Sequence, residues 1–190
     1  MAKTSLEELS QIDDLLPRYD FRAAYQIRID APRPVVYECL LHSDFSELWM
    51  VRFLMTLRTG KRMLRSRAHC DIREWLQGTG FAILDEHREE ELVIGVAGRF
   101  WRPDGGRCLD LTPASFTDFQ RTGYAKVAWN FKLSPAGPDR TILSTETRIE
   151  CFGRAARWKF RAYWSAIAPF SGLIRRAILK QVKSKAETKK

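Results

Sequence analysis

At 190 residues, 45% of them hydrophobic, the chain is long enough to bury a single core without metal or disulfide support. No apolar run approaches the roughly 20 residues that cross a bilayer, the N-terminus MAKTSLEELSQIDDLLP lacks a signal-peptide core, and Cys39, Cys70, Cys108 and Cys151 show no CxxC spacing, so reduced thiols and a cytoplasmic location are expected. The net charge of +9 is uneven: from Arg154 onward eleven Lys or Arg face one acid, Glu187, a net +10 that leaves −1 for the first 153 residues.

Leu6, Leu9, Ile12 and Leu16 give a short first helix an apolar side, with Thr4 or Ser5 as cap and Glu7 or Glu8 three residues on. Pro17 ends it, so residues 1–17 read as a helical extension before one domain over 18–185 and a disordered basic tail, 186–190. From 19 to 30 the pattern alternates strictly. Tyr19, Phe21, Ala23, Tyr25, Ile27 and Ile29 share one face and Asp20, Arg22, Gln26, Arg28 and Asp30 the other, as in a half-buried antiparallel strand. Ala31-Pro32-Arg33-Pro34 breaks this strand and starts a helix bearing Val35, Val36, Cys39 and Leu40. A second short helix is expected over 45–57, then a connection over 58–67 with five basic residues and no acid, and a helical turn over 71–76.

Beyond Gly80 the sequence predicts strands at 81–85, 91–97, 99–102, 115–120, 124–133 and 141–152, separated by turn signals such as Pro103-Asp104-Gly105-Gly106 and Ser134-Pro135-Ala136-Gly137. Short links between strands imply an antiparallel meander. Ala125, Val127, Trp129, Phe131 and Leu133 share one face; in the last strand Leu143, Thr145, Thr147, Ile149 and Cys151 point inward and Ser144, Glu146, Arg148 and Glu150 outward. Ala156, Phe160, Tyr163, Ile167, Phe170, Ile174 and Ile178 then step by three or four, predicting a helix of about 30 residues spanning roughly 45 Å. Pro169 lacks an amide hydrogen and crowds the carbonyl of Ser165, which predicts a kink or division there. The half before it, with Trp158, Phe160, Tyr163 and Trp164, is expected to be the packed half.

The fold class is α+β. Strand, two short helices, antiparallel strands and a long final helix, in that order, resemble the helix-grip fold of the START-like, or SRPBCC, superfamily, in which a curved antiparallel β-sheet wraps around a long C-terminal α-helix. The strand running into Ala31-Pro32-Arg33-Pro34-Val35-Val36-Tyr37 resembles the superfamily's entry pattern. Gly98-Arg99-Phe100-Trp101-Arg102-Pro103, Thr145-Glu146-Thr147-Arg148, Tyr163-Trp164 and the stretch from Pro169 to Arg176 resemble segments of uncharacterised bacterial members. The resemblance covers residues 19 to 183 and implies an apolar cavity. Members include lipid carriers, hormone receptors, aromatic polyketide cyclases and ring-hydroxylase subunits, so it does not imply a ligand.

A strongly curved sheet cannot lie flush against a straight helix across its whole width, so space remains between them unless large side chains fill it. Tyr25, Trp101, Phe116, Trp129, Thr145, Thr147, Tyr163, Ile167 and Phe170 are the candidate ligand-binding residues, each with ordinary core packing as its competing reading. Trp129, Tyr163 and Thr147 stand out because a buried indole N–H or hydroxyl needs a polar partner and can offer one to a ligand. Glu146 and Arg148 read as an outer ion-pair ladder, but a register one residue off would turn them into the cavity. Arg99, beside Trp101, reads either as a carboxylate clamp or as a rim stack.

No GxSxG elbow or phosphate loop is present, and His42, His69 and His87 are isolated from other metal-ligand types except at the adjacent His69-Cys70. No catalytic residue, metal or cofactor is therefore assigned. The expected function is binding of a hydrophobic or aromatic small molecule, such as a lipid, polyketide or quinone-like compound, between sheet and C-terminal helix. One alternative is a cyclase- or hydrolase-type enzyme acting on such a ligand. The other is a surface-interaction module using the basic helix, with an anionic membrane as its partner; nucleic acid has only the charge in its favour.

Overall fold

The computed structural model describes residues 10–43, 80–102 and 111–189. The expected helix over 45–57, the basic connection 58–67, the turn over 71–76 and the turn at Pro103-Asp104-Gly105-Gly106 lie outside them. Helix α1 (Gln11–Leu15) has Ser10 as its N-cap, with the Asp13 carboxylate accepting from the Ser10 amide at 3.1 Å; the expected caps Thr4 and Ser5 lie outside the described residues. Strand β1 (Phe21–Ile29) and helix α2 (Arg33–Leu41) follow as the alternation and the Pro-rich break predict. Strands β2 (Ala82–His87) and β3 (Glu91–Gly98) come next.

Two predicted strands are corrected. Residues 99–102 form a turn, closed by the Arg102 amide on the Arg99 carbonyl at 2.9 Å. Residues 115–120 belong largely to a short helix, α3 (Pro113–Thr117). There the alternation loses to capping: Pro113 opens the helix, and Thr112 Oγ1 accepts from the Ser115 amide at 3.2 Å. The chain then forms β4 (Ala125–Pro135), β5 (Thr141–Cys151) and α4 (Arg154–Thr188).

The five strands form one curved antiparallel sheet, ordered β1-β5-β4-β3-β2, with α4 packed on its inner face: the helix-grip arrangement. Registers such as Tyr25↔Thr145 and Trp129↔Thr147 align the inner residues of β1, β5 and β4 as the alternation predicts. The inner core has two clusters. One joins Leu92, Ile94, Phe131 and Leu143 to α2 and to Ile178, Leu179, Val182 and Ala186 of α4. The other centres on Phe160, with Val96, Phe100, Ala125, Ile149 and Ala156.

Helix α4 is undivided by Pro169. Pro169 and Ser165 are both exposed, so the carbonyl that proline deprives of a donor faces water. The packed half is the second, which holds Gly172, Arg175, Ile178, Leu179, Val182 and Ala186, against Ala156 and Phe160 in the first. The helix also continues beyond the limit expected at 185: Ala186 is buried and a Glu187 carboxylate oxygen accepts from the Asp30 amide at 2.9 Å.

The outer face of the sheet is partly covered too. Ile12 and Leu16 of α1 and Phe116 of α3 pack on Leu84, Val93 and Ala128. All eight residues of β3 are consequently buried, which explains why its sequence ELVIGVAG does not alternate. Gly95 permits this second layer, since a Cβ there would lie 2.5 Å from Leu84 Cδ1 and 2.8 Å from Phe116 Cε2. Polar pairs hold α1 down. Glu91 accepts from Ser10 Oγ at 2.5 Å, the Gln11 amide at 2.9 Å and Asn130 Nδ2 at 2.6 Å. Arg148 Nη2 donates to Asp13 at 2.6 Å and its Nη1 to the Leu16 carbonyl at 3.2 Å.

Candidate functional site

The inner sheet face and the middle of α4 bring together most of the predicted site. Trp129 donates through Nε1 to Thr145 Oγ1 at 2.5 Å, and that hydroxyl donates to the Asn130 carbonyl at 2.8 Å. The Trp129 indole packs against Phe131, with ring centroids 5.0 Å apart, and edge-on against Phe81 at 6.2 Å. One strand across, Tyr25 aims its hydroxyl at α4, where a Cβ on Gly172 would lie 2.5 Å from it. Glycine at 172 is thus what lets helix and tyrosine approach. Tyr163 stacks edge-on against Phe160 at 5.7 Å and Trp101 does the same at 6.5 Å, placing both beside the second cluster.

Between Phe160 and Gly172 no residue of α4 is fully buried. Tyr163, Trp164, Ile167 and Ala168 are half-buried, as are Ala23, Tyr25 and Val127 on the sheet's inner face. The two apolar clusters are therefore buried towards the two ends of the helix, and the stretch between them is only half-buried and stays partly open to solvent.

Four predicted site residues lie elsewhere. Phe116 sits on the outer face, packed against Leu84 and Val93, because α3 approaches the sheet from the side opposite α4. Phe170 is 46% exposed: the buried row on α4 runs through Ser171-Gly172 and Arg175, which turns Phe170 outward. Glu146 and Arg148 keep the outward register. Arg22 pairs with Glu146 through Nε at 2.7 Å and Nη2 at 2.8 Å, and Arg148 Nε joins the same carboxylate at 2.6 Å. Burial pushes the Glu146 carboxyl up, but these two guanidinium groups outweigh it and hold it below the usual range. The pair therefore serves the outer layer and does not face α4. Arg99 stacks on Tyr124, its guanidinium 4.4 Å from the ring centroid, with Nε buried.

The polar residue that the sequence patterns missed is Arg175. It lies inside the sheet–helix interface, 7% exposed, with Nη2 donating to Thr147 Oγ1 at 2.5 Å and Nη1 to Ser171 Oγ. Its guanidinium lies 5.1 Å from the Trp129 ring centroid. Burial lowers its pKa to about 10, so it remains charged at neutral pH. The signal was present: Arg175 stands three residues before Ile178 and four before Leu179, on the apolar row itself.

Other chemistry is sparse. Cys39 and Cys151 are buried free thiols, and burial pushes Cys151 up to about 12, which leaves it un-ionised at neutral pH. Among the described residues no cluster of His, Cys, Asp or Glu could hold a metal ion, and no helix is long and apolar enough to cross a membrane.

No protein-family model matches the chain, and no curated protein matches it in sequence. Among solved structures it is similar to a conserved protein from Geobacillus kaustophilus, with TM-score 0.44, 13% identity, and 88% of this chain and 96% of that one covered. A protein from Thermus thermophilus gives TM-score 0.34 at 10% identity over 87% of this chain and 97% of that one. The aromatase/cyclase Zhui from a Streptomyces species gives TM-score 0.28 at 13% identity over 88% and 93%.

Proposed function

We propose that the chain binds a hydrophobic or aromatic small molecule between the inner sheet face and the middle of α4. The observation that carries this reading is the unsealed stretch between the two core clusters, lined by half-buried Tyr25, Val127, Tyr163 and Ile167 beside buried Trp129, Thr145 and Thr147. Apolar walls with a few convergent polar groups are what small-molecule sites usually present. Native mass spectrometry of the protein purified from cells is expected to show an organic adduct that denaturation releases. An apo mass together with no uptake of apolar probes would sink the reading. The cyclase- or hydrolase-type alternative would require one of these polar groups to polarise a carbonyl; recovery of a bound compound unchanged after prolonged incubation would count against it.

A second reading concerns the opposite side of α4. Trp158 is 71% exposed and Leu173 48%, with Phe170 close by, and helical spacing brings Trp158, Pro169 and Leu173 to one side. Arg154, Lys159, Arg161, Arg176 and Lys180 are exposed on the same helix, which holds no acid before Glu187. Indole and leucine amid cations are the composition of a helix that lies on an anionic bilayer. The protein is expected to co-sediment with phosphatidylcholine vesicles containing about a third phosphatidylserine, with each removed cation costing about 1 kcal/mol. Binding to pure phosphatidylcholine equally well, or no loss on Trp158→Ala/Leu173→Ala, would contradict it.

A further inference from the structure

The three fully buried cations among the described residues are Lys126, Arg148 and Arg175. Lys126 has Glu150 at 3.5 Å, and Arg148 has Asp13 and Glu146, each at 2.6 Å. Arg175 differs. Its acceptors are neutral: Thr147 Oγ1, Ser171 Oγ and, at 3.4 Å, the Ser171 carbonyl. No carboxylate among the described residues pairs with it, and its Nε–H is buried without an acceptor. A buried charge with neutral partners only is held against its desolvation cost unless an opposite charge joins it.

We propose that the small molecule held between sheet and α4 is an apolar acid whose anionic oxygens dock on the guanidinium of Arg175. This rests on the reading of that interface as the ligand site. The Nε–H is the donor without a partner, and together with Nη2 it makes up the side-on edge that a carboxylate can meet with two parallel hydrogen bonds. Thr147 and Ser171 hold Nη2 and Nη1, and the face of the guanidinium lies over Trp129, which fixes its orientation. Two further groups suit an anion. The Tyr25 hydroxyl lies against Gly172, on the turn just before Arg175, and the Arg176 guanidinium is 5.1 Å from the Tyr25 ring centroid. The walls beside the fork are the aromatic and aliphatic side chains of the unsealed stretch, which suit an apolar body attached to that acidic head. Because burial already depresses the charged form of Arg175, an arriving anion meets a weakly hydrated partner and the pairing is stronger than at the surface.

A matched pair of probes tests this: 1-anilinonaphthalene-8-sulfonate and N-phenyl-1-naphthylamine share one ring system, and only the first carries an anion. Wild-type protein is expected to bind the sulfonate about tenfold or more tighter than the neutral amine, as a charge-assisted hydrogen bond implies, with the amine displacing the sulfonate from a common site. Arg175→Met is expected to remove that preference, and Arg175→Lys to retain part of it. Equal wild-type affinities for both probes would overturn the proposal without recourse to a variant, as would an Arg175→Met protein that still prefers the sulfonate. Failure of both probes to bind sinks instead the reading of the interface as a ligand site.

Discussion

Phe160→Ala is expected to destabilise the protein by about 3–5 kcal/mol, the range for removing a large aromatic from a packed core. The ring is 2% exposed and lies at the centre of five others: Phe21 at 5.2 Å, Tyr163 at 5.7 Å, Trp164 at 5.8 Å, Phe100 at 6.1 Å and Trp101 at 6.5 Å. It is also the main large side chain by which the first half of α4 grips the sheet. Loss of the ring therefore removes both the local packing and the anchor of some three helical turns. For a domain of this size the melting temperature should fall by about 10 °C, read by circular dichroism during heating, with Phe160→Leu intermediate. A loss below about 1 kcal/mol in chemical denaturation would show that Phe160 is not the anchor.

The second large effect is expected at Gly172. In an exposed helix interior, glycine to alanine stabilises by about 1 kcal/mol. Here the sign reverses, because the new methyl would stand 2.5 Å from the Tyr25 hydroxyl and 3.2 Å from its Cζ. Pushing the tyrosine aside or lifting the helix costs about 1–3 kcal/mol. Tyr25→Phe removes the oxygen that makes the nearest contact, so the Gly172→Ala/Tyr25→Phe double variant should recover most of the loss, a coupling that a double-mutant cycle measures directly. Stabilisation by Gly172→Ala alone would mean that helix and strand do not approach as closely as described.

These two positions also show where the sequence was readable. Strands facing the helix on one side and solvent or a thin layer on the other alternate visibly, so β1 and β5 were placed with the correct faces, including the outward row of Glu146 and Arg148. Alternation fails where both faces are covered, and nothing within β3 itself reveals that α1 and α3 lie over it. The strand predicted at 115–120 failed for a different reason, since the cap at Thr112-Pro113 outweighs a few β-prone residues. On α4 the period was right but the phase drifted. The row from Phe160 passes through small residues, Ala168 and Gly172, before reaching Arg175 and Ile178, and a search for large apolar residues skips Ala168, Gly172 and Arg175. That phase error misplaced the packed half of the helix, put Phe170 in the cavity and sent Arg175 to the surface with the rest of the +10.

The sheet order carries a consequence for how the chain comes to be folded. Among the described residues β1 pairs with β5 alone, and the Arg148–Asp13 bond that pins α1 joins residues 135 positions apart. During synthesis these contacts therefore wait until β5 has been made, and α4 comes later still. Until then β1 lacks this neighbour, and its apolar face is open to mispairing and to chaperones. Contacts this distant in sequence predict slow folding, with β1 docking among the last events even though it is among the first segments made.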